Sequence, residues 1–124
     1  MNRFRQQGGF RLFASFGHAL RGFRRLFMDQ PNARIHAAAT CAVLALAAYL
    51  RVSTGEWLAL VLSIGLVLAA EALNSAIEEL ADAVHPDQHP GIGRAKDVAA
   101  AGVLLAALAA VATGAIIFLP RLLP

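Results

Sequence analysis

Three stretches of the chain carry no charged side chain, and short charged segments separate them. They cover residues 35–50, 57–70 and 98–120, which are 16, 14 and 23 residues long. A membrane-spanning helix needs about 20 mostly apolar residues, so only the third stretch is long enough by itself. The second reaches this length if its helix continues through Glu71 to about Ile77. That extension places a carboxylate at membrane depth or at the interface, where ionisable groups usually have a function.

A different pattern precedes these stretches, because large apolar residues recur there every three or four positions. They are Phe10, Phe13, Phe16, Leu20, Phe23 and Phe27, while Arg11, His18, Arg21 and Arg25 face elsewhere. The spacing predicts an amphipathic helix at the membrane surface, in contact with lipid, with the rest of the protein, or with both. Asp29, Pro31 and Asn32 predict a break and a new helix start.

Together these patterns predict an all-α membrane protein of one domain. Residues 1–33 form a basic segment with the surface helix, and residues 34–124 form three transmembrane helices. The composition agrees, since 15% of residues are charged and 58% are hydrophobic, against roughly 25% charged in soluble domains. A mean hydropathy of +0.59 also disfavours a soluble enzyme or a disordered chain. Cys41 is the single cysteine, so no intrachain disulfide can form.

The net charge of +3 is unevenly distributed, because seven of the eleven bases precede residue 35. A cytoplasmic N-terminus places these seven bases inside together with Arg94 and Lys96, and leaves Arg51 and Arg121 outside, as the positive-inside rule requires. Anionic lipid headgroups are the more natural partner of the basic cluster. We expect no nucleic acid partner, since the apolar body has no recognised nucleic-acid-binding pattern.

The third stretch also carries small residues at a four-residue spacing, Gly102, Ala106, Ala110 and Gly114. This spacing lets helices approach closely. Since three helices make a thin bundle, we expect an oligomer.

The segment Glu71–Asp82, EALNSAIEELAD, carries the main candidate chemistry. In a helix, Glu71, Ser75, Glu78 and Asp82 lie within about 60° of one another, with Asn74 on the flank. Glu71 and Glu78 are separated by about 10 Å along the axis, which favours two separate roles over one shared metal ion. The alternative is that these carboxylates only pair with bases across a helix interface.

Two further groups of residues lie in the same cytoplasmic region. Arg94 and Lys96, together with free N–H groups at a helix start, can bind phosphate oxygens, or they can simply extend to the membrane interface. His85 and His89 are four residues apart, but Pro86 and Pro90 break the helix that would align them for a metal. His18 and His36 are interpreted as interfacial or packed histidines. No P-loop or protein-kinase motif is present, so any nucleotide site uses an unrelated scaffold.

These residues resemble the small integral-membrane diacylglycerol kinases of bacteria, which include the undecaprenol kinases. EALNSAIEELAD matches the family signature E-x-x-N-[ST]-A-I-E-x-x-x-D, and RAKD at 94–97 matches the second signature block. The similarity extends from about Arg11 to Leu119. Arg34-Ile-His36 is more similar to the undecaprenol kinase branch, whereas the Gly-Arg before AKD is more similar to the proteobacterial diacylglycerol kinases.

The resemblance implies a homotrimer of three-span protomers in the bacterial inner membrane, with active sites shared between neighbours on the cytoplasmic side. It implies transfer of the γ-phosphoryl group of Mg-ATP to a lipid hydroxyl, that of diacylglycerol or, as the other acceptor, undecaprenol. Glu71 would be the general base, and Glu78 would bind the Mg²⁺ that bridges the ATP phosphates. The other residues of the nucleotide site would be Arg11, His18, Asp87, His89, Lys96 and Asp97, supported by Asn74, Ser75, Asp82 and Arg94.

One position departs from the family pattern. The family usually has a second metal-binding glutamate where this chain has Gln30, and a neutral amide is a weaker ligand for a hard cation. Asp29 could substitute, or the site could work with fewer carboxylates. Two other functional classes stay open, a catalytically degenerate membrane protein that acts as a structural partner and a transporter subunit with an intramembrane proton relay.

Overall fold

The computed structural model describes residues 3–124, and the side chains from Arg11 onward. It contains four helices, α1 (Arg3–Asp29), α2 (Pro31–Tyr49), α3 (Thr54–Val84) and α4 (Pro90–Leu122). The described residues contain no strand, so the all-α prediction is confirmed.

Two of these helices are long and apolar enough to cross a membrane. They are α3, with 31 residues, and α4, with 33 residues. The mean hydropathy over an apolar window of 18 residues is 1.9 in α3 and 2.5 in α4. The second apolar stretch is therefore part of a helix that continues through Glu71, as predicted. Helix α2 has 19 residues and is less apolar, because Arg34 and His36 lie in its first two turns. A third span through α2 stays a prediction.

The break between α1 and α2 falls at Gln30, as the sequence predicts. Gln30 has an extended backbone (φ −107°, ψ 110°), and Pro31 occupies the first turn of α2, where a missing N–H costs nothing. The Arg34 side chain donates hydrogen bonds to the carbonyl groups of Phe27 (2.9 Å) and Met28. Because these carbonyls have no partner inside α1, a base of α2 stabilises the C-terminus of the preceding helix.

The opposite end of the bundle is stabilised by a capping box and an ion pair. At the start of α3, Ser53 Oγ accepts a hydrogen bond from the Glu56 backbone, and Glu56 Oε2 accepts one from the Ser53 backbone at 2.7 Å. Arg121, near the end of α4, donates to the same carboxylate at 2.8 Å. The preceding Arg51 has a left-handed backbone (φ 49°), which turns the chain between α2 and α3.

Helix α4 begins earlier than the sequence suggests, at Pro90. His89 caps it, because its Nδ1 accepts a hydrogen bond from the Gly91 backbone at 3.1 Å. Arg94 and Lys96 consequently lie within the second turn of a formed helix. The free N–H groups of α4 lie in the turn before these two bases. The expectation that Arg94 and Lys96 lie beside free N–H groups was therefore wrong.

The most extensive helix contact is between α3 and α4. Ser63 and Thr113 form a hydrogen bond across it at 3.3 Å. Near the capping box, the largest apolar core comprises Ala47, Val52, Leu60, Ile117 and Phe118. Of the stripe of small residues, Ala106 is buried and Gly102 is exposed.

Helix α1 packs on the rest of the chain mainly through its last turns. Leu26 is buried, whereas Phe13, Phe16 and Leu20 are at least 63% exposed. Phe10 lies outside the residues whose side chains are described. Most of the described apolar face of α1 is therefore exposed in the single chain, as expected of a helix that contacts lipid or another subunit.

Candidate functional site

Glu71 is a buried carboxylate in the middle of the helix bundle. It is 2% exposed, and on its α2 side the Nε2 atom of His36 lies 3.9 Å from its Oε2 atom. This distance is short enough for an ion pair but too long for a hydrogen bond. Among the described residues, no lysine or arginine forms a salt bridge with Glu71, so the imidazole is its closest basic partner.

The next turn of α3 adds two buried polar side chains, Asn74 and Ser75. Asn74 Nδ2 donates to Glu78 Oε1 at 3.2 Å. Asn74 Oδ1 and Ser75 Oγ have no hydrogen-bond partner within the described part of the chain. Because an unpaired buried polar atom costs about 1–3 kcal/mol, these two oxygens are available to a ligand or to a neighbouring subunit.

The predicted polar face of α3 is graded in exposure. Glu71 is buried, Glu78 is half-buried and Asp82 is exposed, so the face leads from the bundle interior to the C-terminal end of α3. Among the described residues, no three His, Cys, Asp or Glu side chains come close enough to hold a metal ion. The two separate roles expected of Glu71 and Glu78 stay a prediction.

A pocket of about 440 Å³ lies between the end of α3 and the start of α4. It brings together four of the residues that the family resemblance assigns to the nucleotide site or its support, Asp82, Asp87, His89 and Lys96, and His85 also lines it. Lys96 Nζ lies 2.6 Å from Asp82 Oδ1. Asp82 is therefore a carboxylate that pairs with a base across a helix interface. This is the simpler of the two interpretations of the polar face of α3. We call this pocket the loop pocket. The Lys96 ammonium group and the His89 imidazole in it can contact an anion.

Other candidate residues lie apart from the loop pocket. Arg11 is exposed on α1, and His18 on the same helix is bonded to Arg21 at 2.7 Å. Arg94 and Asp97 are exposed on α4 and do not line the loop pocket. The single chain thus does not gather all the predicted nucleotide ligands into one site.

Gln30 lines a separate pocket of about 230 Å³ between α1 and α3. Ser75 and Glu79 line it from α3, and Arg25 lines it from α1. Asp29 points instead to a basic concavity that Arg21 and Arg24 also line. The candidate ligands Gln30 and Asp29 are thus directed to different surfaces.

A fourth concavity is an apolar groove between α2, α3 and α4, with a volume of about 290 Å³. Its walls include Val43, Val67, Val111 and Phe118, and His36 is the first α2 residue that lines it. Glu71 is not among the lining residues. A histidine therefore lies between the groove and the buried carboxylate.

The contact between His36 and Glu71 is not predicted by the sequence analysis. The sequence predicts a packed or interfacial histidine, and the structure adds that this half-buried side chain lies beside the buried carboxylate. The sequence holds a signal for it, since α2 and α3 are consecutive helices joined by a short turn. Their antiparallel pairing places the start of α2 beside the second half of α3.

Comparison with known proteins identifies relatives over most of the chain. The family model described as "Prokaryotic diacylglycerol kinase" matches residues 17–118. The chain is 40% identical to undecaprenol kinase of Bacillus subtilis over 112 residues, which cover 90% of this chain and 91% of the relative. It is 40% identical to diacylglycerol kinase of Synechocystis over 90% of the chain and 65% of that protein. It is 33% identical to diacylglycerol kinase of Escherichia coli over 86% of the chain and 88% of the relative.

Proposed function

The chain belongs to the prokaryotic diacylglycerol kinase family, and from this membership we propose that it transfers the γ-phosphoryl group of Mg-ATP to the hydroxyl group of a membrane lipid. The observation that carries the proposal is the family match over residues 17–118, which includes the buried Glu71 and the Lys96 of the loop pocket. Two long apolar helices agree with a substrate that resides in the bilayer.

ATP binds at the cytoplasmic end, with its phosphates near the loop pocket. Lys96 and His89 supply positive charge or hydrogen bonds there, and Asp87 lines the same pocket. Arg11, His18 and Asp97 complete the nucleotide site in the arrangement that the family resemblance implies, with Arg94 close to it. Phosphoryl transfer depends mainly on positioning and on neutralised phosphate charge, which these groups provide.

The residues of α3 suit a magnesium ion at Glu78. Mg²⁺ prefers oxygen ligands and is commonly held by one or two carboxylates plus the substrate phosphates. Glu78 offers a half-buried carboxylate, and Asn74 Oδ1 beside it is a buried oxygen without a hydrogen-bond partner. Glu78 and Asn74 would hold the ion, with Gln30 as a weaker additional ligand that Asp29 would replace after a small backbone shift. The ion would neutralise charge on the transferred phosphoryl group.

Glu71 is the general base of this mechanism. A carboxylate that is buried among transmembrane helices lies where the hydroxyl group of a lipid arrives, and it can take the hydroxyl proton as the oxygen attacks phosphorus. The acceptor is diacylglycerol, which gives phosphatidic acid, or undecaprenol. The relatives carry both names, and both lipids present a primary hydroxyl group at the end of long apolar chains.

The active enzyme is a homotrimer in the bacterial inner membrane, with its N-terminus and active sites on the cytoplasmic side. The separation of Arg11, His18 and Asp97 from the loop pocket supports sites that are completed by a neighbouring subunit. The exposed face of α1 and the unpaired oxygens of Asn74 and Ser75 support the same arrangement.

The test is a phosphorylation assay with the purified full-length protein in mixed micelles, using ATP labelled at the γ-phosphate. We expect label to move to diacylglycerol or undecaprenol, presented separately, only when Mg²⁺ is present. Transfer to neither lipid would contradict the proposal and favour the catalytically degenerate alternative that Gln30 suggests. ATP-independent ion flux in liposomes would favour the transporter alternative.

A further inference from the structure

The proposed general base is not directly accessible from the apolar groove. Glu71 is 2% exposed and does not line the groove, whereas His36 lines it and is half-buried. Two of the three helices that border the groove, α3 and α4, are long and apolar enough to span a membrane, so lipid hydrocarbon is its natural occupant. A lipid alcohol that enters along the groove therefore meets the imidazole of His36 before it meets Glu71.

The geometry of the pair gives the two imidazole nitrogens different partners. Nε2 lies 3.9 Å from Glu71 Oε2, which leaves Nδ1 for another group. A neutral imidazole has one donor and one acceptor nitrogen, so an Nε2–H that faces the carboxylate makes Nδ1 an acceptor. In hydrolases on unrelated folds the same order of groups, hydroxyl, imidazole and carboxylate, lets the imidazole take the hydroxyl proton, while their carboxylate stays ionised and orients the ring. Transfer of a second proton from the imidazole to the carboxylate is a step that those enzymes do not make.

We propose that His36 carries the proton of the acceptor hydroxyl group to Glu71. This inference rests on the proposed function. His36 Nδ1 takes the proton as the O–H bond breaks, and the freed oxygen forms a bond to the γ-phosphorus of ATP. The bond from that phosphorus to the bridging oxygen breaks, and ADP leaves with the electron pair. The Nε2 proton passes to Glu71, which later returns it to water.

The surroundings of the pair favour this transfer. A carboxylate buried without a full countercharge is energetically costly, and the proton that arrives through His36 removes the charge. The side chains that line the groove from α3 and α4 carry no charge, so Glu71 is the ionisable group that faces His36 from α3. Arg34, two residues earlier on α2, is engaged with the carbonyl groups of α1. The 3.9 Å separation has to shorten when the acceptor binds, as catalytic hydrogen bonds commonly do.

The test compares two variants of full-length protein, His36→Gln and His36→Ala, with Cys41→Ala as the control. Cys41 is exposed on the same helix and does not line the groove. We expect each His36 variant to lower kcat about a hundredfold, the usual size of a proton-transfer contribution, with little change in the KM for ATP. We also expect added imidazole to raise the turnover of His36→Ala and not that of Cys41→Ala.

Three results would overturn the relay. Wild-type turnover in His36→Gln would show that no proton passes through the imidazole. Slow turnover of His36→Ala that does not respond to added imidazole would assign His36 a purely structural role. Absence of lipid phosphorylation by the wild-type protein would instead refute the proposed function, and the relay with it. Retained ATP binding by both variants shows that a loss of turnover does not reflect unfolding.

Discussion

Lys96 Nζ lies 2.6 Å from Asp82 Oδ1, so a salt bridge joins the last turns of α3 to the second turn of α4. The two residues are separated in sequence by the loop that carries Asp87 and His89, and all four line the loop pocket. The ion pair therefore links the two helix ends across the loop and presents one ammonium group to the pocket. Its ammonium group can turn from Asp82 to a phosphate oxygen when a nucleotide arrives.

Replacing Lys96 by methionine should therefore weaken nucleotide binding. A hydrogen bond to a charged group is worth roughly 1.5–3 kcal/mol, which corresponds to about a ten- to hundredfold rise in Kd for ATP. Lys96→Arg should retain most of the affinity. Calorimetry in detergent measures the change, and Arg51→Met, which removes a base at the opposite end of the bundle, is the control. Equal affinities in Lys96→Met and Arg51→Met would exclude a phosphate contact.

Replacing Glu71 by glutamine should abolish turnover and leave ATP binding largely intact. Glutamine preserves the size of the side chain but cannot take a proton, and Glu71 lies away from the loop pocket. The measurement is γ-phosphoryl transfer in mixed micelles together with the Kd for ATP. Glu79→Gln, an exposed neighbour on α3, removes a similar charge and should cost far less. Retained turnover in Glu71→Gln would remove this residue from the role of base.

Local sequence signals gave the correct helices because each signal acts over a few residues. Pro31 after Asp29 predicts the break at Gln30, and the apolar pattern around Glu71 predicts one continuous α3. The common face of Glu71, Glu78 and Asp82 also follows from helical periodicity, and their increasing exposure follows from their increasing distance from the apolar stretch that ends at residue 70. The start of α4 was misplaced because His89 caps it from a segment with no periodic pattern.

Contacts between helices could not be predicted in the same way. Arg34 reaches the carbonyl groups of α1, Arg121 reaches Glu56 across 65 positions, and His36 faces Glu71. Each of these pairs depends on the rotation of one helix against another. Packing of the complete side chains determines that rotation, and periodicity alone leaves it open.

Replacing Gln30 by glutamate should raise the apparent affinity for Mg²⁺. A carboxylate is a stronger ligand than an amide for a hard cation, and the family pattern places a metal-binding glutamate at this position. The measurement is turnover as a function of Mg²⁺ concentration. Asn32→Asp adds a charge nearby on an exposed position and should leave the Mg²⁺ dependence unchanged. If the Mg²⁺ dependence of turnover is also unchanged in Gln30→Glu, this result counts against a position of Gln30 at the metal.

Replacing Ser53 by alanine should destabilise the protein without changing its chemistry. The variant removes the side chain that caps α3, and loss of such a cap costs about 1 kcal/mol. Thermal unfolding in detergent should show a lower Tm, whereas Thr54→Ala, one residue later and exposed, should change it less. A Tm equal to that of the wild type would mean that lipid, water or another subunit satisfies the end of the helix.

The proposed trimer with shared sites predicts complementation between inactive subunits. Glu71 is buried beside α2, and Lys96 lies in the loop pocket at the end of α3. If one subunit supplies the base and its neighbour supplies the nucleotide ligand, a mixed trimer of Glu71→Gln and Lys96→Met subunits contains some sites with both groups intact. Co-expression should then restore part of the turnover that either variant lacks alone, and the mass in mild detergent should equal that of three chains. A monomeric mass would refute the trimer, whereas a trimer without complementation would place both residues of each site in one subunit.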